Sequence, residues 1–136
     1  MYGVVGENMS HYSIYKTKLG NITEDFLKRA VTSLAEKIGA DVVSAVKDFM
    51  GHVHNVTIAL RNANCPNGIG FGVDAHGNLT VHGDAYGQEL EFTRLQTLAQ
   101  NYIKAYKVAQ NTLALHPMAK IQTKILEKAV VMEVAV

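Results

Sequence analysis

The chain has a single cysteine, Cys65, no tryptophan and two prolines among its 136 residues. A lone cysteine excludes an intrachain disulfide framework and fits a reducing interior. No apolar run approaches the ~18–20 residues that a membrane helix needs. The opening segment MYGVVGEN lacks the basic end and apolar stretch of a secretory signal, so the expected location is cytoplasmic. Thirteen basic residues stand against twelve acidic ones, with no basic stripe. A groove that neutralised several phosphates would show such an excess, which disfavours a nucleic-acid partner. The sequons at Asn21, Asn55 and Asn78 then read as helix-start, strand and turn residues.

What is present is an ordinary globular composition, with 48% hydrophobic and 18% charged residues, enough for one core. The most informative stretch is GIGFGVDAHGNLTVHGDAYG, residues 68–87. Its two alternating runs flank Ala75-His76-Gly77-Asn78 and read as a β-hairpin, because Gly tolerates the positive φ of a tight turn.

Along the chain, residues 1–8 read as an N-terminal appendage, Met9 as a possible second start, and 9–136 as one domain. Residues 11–19 alternate as a strand. Asn21 and Glu24 have capping-box spacing before a helix that places Phe26, Ala30, Leu34 and Ile38 on one face and ends at Gly39. Residues 42–46 and 52–60 suggest two further strands, and 61–68 a polar loop containing Cys65-Pro66-Asn67-Gly68. Over 89–114, Phe92, Leu95, Leu98, Tyr102, Tyr106, Ala109 and Leu113 form a helical stripe that Pro117 must stop. Residues 121–125 and 130–136 then form two strands about Leu126-Glu127-Lys128-Ala129. The expected fold class is α+β: a mainly antiparallel sheet with two helices packed on one face, in the order β-α-β-β-β-β-α-β-β. The other sheet face is expected to stay open.

Two motifs together carry a family resemblance: Met9-Ser10-His11-Tyr12-Ser13 with the helix ending at Gly39, and Ile69-Gly70-Phe71, Gly77 and Gly83-Asp84-Ala85-Tyr86-Gly87. A long helix with Asn101-Tyr102 and a terminal hairpin follow in matching order. The chain resembles the hypothetical chloroplast reading frame thirty-five family, a domain of unknown function, over nearly all of 9–136. It departs in lacking tryptophan and in having Lys128-Ala129 where Asp-Gly is common. The resemblance implies no assigned activity, and it draws attention to His11, Asp84 and Tyr102.

Several residues invite chemistry. His52 and His54 are two apart on a strand and share a face, as do His82 and Asp84. Were those strands neighbours, three imidazoles and a carboxylate would surround a metal; the plainer reading has them on a solvated sheet face. Asp84 near Gly83 is a candidate base, or else a carboxylate that binds backbone amides where a strand leaves the sheet. Cys65 shows no accompanying base. Gly68-Ile69-Gly70-Phe71-Gly72 lacks the Lys-Ser/Thr ending of a phosphate loop and enters a strand.

No acid–base pair, metal quartet or phosphate cradle stands out, so no cofactor is expected and the reading leans away from an enzyme. The expectation is a non-catalytic interaction module that binds itself, as a homo-oligomer, or a protein partner, with no membrane partner. The alternative is a small metal-binding protein or enzyme using His52, His54, His82 and Asp84. Residues 130–136 carry one charge in seven. A bare edge of that kind is an aggregation hazard, so this strand is expected centrally in the sheet or under another subunit.

Overall fold

The computed structural model describes residues 11–136; the reading of 1–8 as an appendage and of Met9 as a start falls outside them. Nine elements follow in the expected order: β1 (Ser13–Lys16), α1 (Glu24–Ile38), β2 (Asp41–Lys47), β3 (Val53–Asn62), β4 (Cys65–Val73), β5 (Leu79–Gly83), α2 (Glu89–Leu115), β6 (Lys120–Leu126) and β7 (Ala129–Ala135). The first five strands form an antiparallel sheet in the order β1-β5-β4-β3-β2.

Alternation along the strands decides what enters the core. Ile58 and Leu60 of β3, Ile69 and Phe71 of β4, and Leu79 and Val81 of β5 face the helices and are buried. They meet Leu27, Ala30, Val31 and Leu34 of α1 and Phe92, Leu95, Leu98 and Tyr102 of α2. Removing each large aliphatic or aromatic side chain of this set from water contributes roughly 1.5–3 kcal/mol. Phe26, expected in that layer, is only half-buried; it packs edge-on against Tyr106 at the rim.

The capping expectation for α1 is corrected by two residues. Thr23, not Asn21, is the N-cap, and its Oγ1 accepts the Phe26 amide at 3.1 Å. Asn21 has φ 57, which takes it out of the approach to the helix. Gly39 ends the helix with φ 69, as its sequence position predicts. α2 has no side-chain cap, because Gln88 is occupied elsewhere: its Nε2 donates to the Asp84 carbonyl at 3.0 Å and its Oε1 accepts the Asn67 amide at 3.1 Å.

Residues 61–68 are not a loop. β3 runs to Asn62, the turn is Ala63-Asn64, and Cys65 already lies on β4. Asn62 supplies the turn itself, its Oδ1 accepting the amides of Asn64 and Cys65. That side-chain turn competes for the polar residues from which a longer loop was inferred.

The second face of the sheet is not fully open either. β3 pairs with β4 only from Ile58 onward, while Val53, His54 and Asn55 pair with β2 alone. A register shift between Val43 and Ala45 bends the partner strand at the same level. The end of the β2–β3 hairpin thereby folds across the sheet as an arm. The glycines of β4 make room for it. A Cβ on Gly70 would lie 2.9 Å from Val56 Cγ1, and one on Gly68 3.2 Å from Val46 Cγ1. Close backbone approach is what glycine within a strand permits.

The C-terminal strands do not join this sheet. β6 and β7 form a separate two-stranded ribbon in continuous register, Lys120 opposite Ala135 through Leu126 opposite Ala129. Ile125 and Val130 pack on the core, so the apolar side of the ribbon turns toward the helices. Arg94 of α2 donates to the Glu127 carbonyl at 3.0 Å, and Asn101 to that of Lys128 at 2.9 Å, fixing the turn. The expectation that β7 is central in the main sheet is therefore wrong: a tight turn after β6 lets the two strands pair locally instead.

Candidate functional site

The polar and aromatic residues that invite chemistry gather where the arm tip meets the end of β5. Asp84 is fully buried. Its Oδ2 accepts the amides of Phe49 at 2.7 Å and His11 at 3.2 Å, and its Oδ1 accepts that of Tyr86 at 3.0 Å. Three amides from three segments leave this carboxylate little capacity for a substrate or a metal. It ties the arm tip and the segment before β1 to the exit of β5. Above it, the His11 ring stacks on Tyr86 at 5.2 Å, and Phe49 meets Tyr86 edge-on at 4.2 Å.

A second aspartate, which the sequence reading did not single out, gathers two of the histidines. Asp48 is buried at the start of the arm tip. Its Oδ1 accepts the His52 amide at 2.9 Å, while its Oδ2 lies 2.9 Å from His54 Nε2 and 3.4 Å from His52 Nδ1. Tyr12 lies flat on the His54 ring, with centroids 3.9 Å apart and planes 8° from parallel. Its hydroxyl is 3.1 Å from His82 Nδ1, and His82 Nε2 is 2.8 Å from Thr80 Oγ1. Burial raises the Tyr12 hydroxyl above its ordinary pKa and lowers that of His82, so both favour their neutral forms.

His52 and His54 therefore converge on Asp48, Tyr12 joins His54 to His82, and Asp84 is bound separately by amides. Among the described residues no three of His, Cys, Asp and Glu are placed to hold a metal ion. Chemically, the Asp48–His54 pair is a carboxylate-oriented imidazole, an arrangement suited to taking a proton. Among the described residues the hydrogen bond recorded for the His54 ring is that of its Nε2 to Asp48, and no hydroxyl or thiol is recorded at its Nδ1.

The other singled-out residues have structural surroundings. Tyr102 is in the helix layer, with its hydroxyl 2.7 Å from Ser33 Oγ, and burial pushes its pKa up. Cys65 is buried, and its thiol is pushed up to about 12, chiefly by burial, which keeps it protonated and inert. A shallow groove of about 520 Å³ runs over Gly72 between the arm and β1, lined by Ile14, Lys16, Val56, Thr80 and His82 among others.

The sequence held weak signals for the missed residues. Asp48 precedes the Gly51 turn with histidines four and six residues on, and Tyr12 directly follows His11. Only the folded arm brings them together. No family model matches the chain, and neither a curated protein nor a solved structure does.

The remaining conspicuous surface is apolar. Leu126 is 60% exposed, Val131 42% and Val134 43%, and Leu115 and Met118 at the end of α2 are exposed beside the ribbon. No helix among the described residues is long and apolar enough to cross a membrane.

Proposed function

We propose that this chain is a non-catalytic module that works by association, and that the β6–β7 ribbon is its docking surface. The observation that carries the reading is the ribbon's separation from the main sheet, which leaves Leu126, Val131 and Val134 exposed on a rigidly anchored hairpin. Exposed apolar residues grouped on one element favour a protein partner over a small ligand. The resemblance to the reading frame thirty-five family belongs to the same proposal and adds no activity to it.

The test is affinity capture of the full chain from its native host, beside a Val131→Ser/Val134→Ser variant of equal helicity. A stoichiometric protein retained by the natural chain, another copy included, and lost with the variant supports the reading. Equal capture by both, or by neither, overturns it.

A second reading rests on the Asp48–His54 contact at 2.9 Å: an acid–base or ligand site at the arm tip, reached past His52. It replaces the four-residue metal face, since Asp84 is engaged by amides. Ligand-induced shifts of the His54 ring resonances, absent in Asp48→Asn, support this reading; an unperturbed ring across a metabolite library removes it.

A further inference from the structure

Four strands bound the two sheets, and an edge strand presents unpaired N–H and C=O groups to any chain that passes. Folded proteins blunt such edges by keeping them short, bulged or lysine-bearing. β1 has only four residues. β2 is broken by the shift between Val43 and Ala45. β6 carries Lys120 and Lys124 on its outer face. β7 has none of these devices: it spans seven residues in unbroken register, with no proline or lysine and one charge, Glu133. Among the described residues its second edge has no strand beside it.

We propose, resting on the association reading above, that β7 pairs antiparallel with β7 of a second copy of this chain, about a two-fold axis at Met132. Overlap of Ala129–Ala135 with itself is complete only when centred there. Val130 then faces the partner's Val134, Met132 faces its own equivalent, and Val131 faces the partner's Glu133. Moving the axis to Glu133 sets two glutamates opposite each other, a destabilising pair, and moving it to Val131 shortens the overlap. A one-residue slip turns the apolar set outward.

Charge agrees with this register. Lys124 stands opposite Val131 within the ribbon, and Val131 faces the partner's Glu133, so Lys124 and that Glu133 share one row of the outer face, two strands or about 10 Å apart. The long lysine stem reaches over Val131 toward the carboxylate. The product is a four-stranded sheet, β6-β7-β7-β6, with both α2 helices on one side. Two-fold contacts of this self-complementary kind are the commonest route to a closed assembly.

The test is sedimentation equilibrium on the full chain at micromolar concentration, with three variants. The natural chain should show the dimer mass. Val131→Glu places glutamates opposite each other twice across the axis and should weaken the dimer by on the order of tenfold or more. The double variant V131E/E133K restores opposite charges at both pairs and should restore the dimer, a rescue that a merely misfolded V131E cannot show. Met132→Cys should form an interchain disulfide on mild oxidation, with no competition from buried Cys65. A chain monomeric at every concentration overturns the proposal, as does a dimer indifferent to V131E that does not cross-link. The association reading survives the first result if a different protein is captured through the ribbon, and the second if dimerisation is lost with V131S/V134S. Loss of neither self-association nor capture ends both.

Discussion

The chain builds two projecting hairpins and treats them differently. The β2–β3 arm folds back over Gly68 and Gly70, and its tip is taken up by Asp84 through the Phe49 amide. Its polar groups gather on Asp48, and Tyr12 from outside the arm stacks on its His54 ring. The β6–β7 ribbon is held to α2 by Arg94 and Asn101 at its turn, yet Leu126 and Val131 on its far side, and Val134 toward its free end, stay exposed. Only the first hairpin has glycines beneath it and a buried carboxylate to receive its tip. The contrast separates a projection closed by its own chain from one left for another chain to close.

The largest way to break that contrast is to remove the clasp of the arm. Asp84→Ala leaves three amides without their charged acceptor in a fully buried place. Thermal or denaturant unfolding should show a loss of about 3 kcal/mol or more. The arm amides, residues 45–56, should exchange faster while the ribbon is unchanged. An exchange increase confined to the ribbon would mean that the arm does not depend on Asp84.

Gly70→Val should come next. Its Cβ would begin 2.9 Å from Val56 Cγ1, so the arm must lift or Val56 must leave its position. A loss of about 1–3 kcal/mol is expected, as for other overpacked sites. Preserved stability would indicate that the arm does not rest on β4.

Arg94→Ala acts on the other hairpin and should cost about 1 kcal/mol, with faster exchange across 120–135. Its hydrogen bond is the first cause holding the Glu91 carboxyl below the usual range, and Asn62 adds to it. A depressed carboxylate contributes stability above its unfolded pKa and loses it as pH falls through the folded one. Acidification below the ordinary glutamate range should therefore loosen the ribbon turn, and Glu91→Gln should remove that pH dependence. An equal acid response in the E91Q variant would place the titration elsewhere.

Local order was readable in the residues. The stripe from Phe92 to Tyr102, the Gly39 stop and the hairpin about Gly77 all depend on neighbours within a few positions, and each stands where the pattern put it. The arm was not readable, because its bend comes from the Val43/Ala45 shift and contacts made across the sheet. A signal for it existed: Gly68, Gly70 and Gly72 recur at period two on one face, a floor cleared for another layer. The candidate site was half legible. The structural reading of Asp84 identified the right kind of partner, backbone amides. His52 and His54 do meet at one point, but His52 lies in the turn before β3 rather than on the strand where the spacing put it. That point is Asp48, marked in the sequence only by the histidines four and six residues on.

Amide hydrogen exchange of β7 as a function of protein concentration tests the central claim most directly. The account predicts that protection over Ala129–Ala135 rises from nanomolar to micromolar chain, as a second β7 covers its edge, while protection of the arm stays constant. Protection of β7 that does not change with concentration would contradict it.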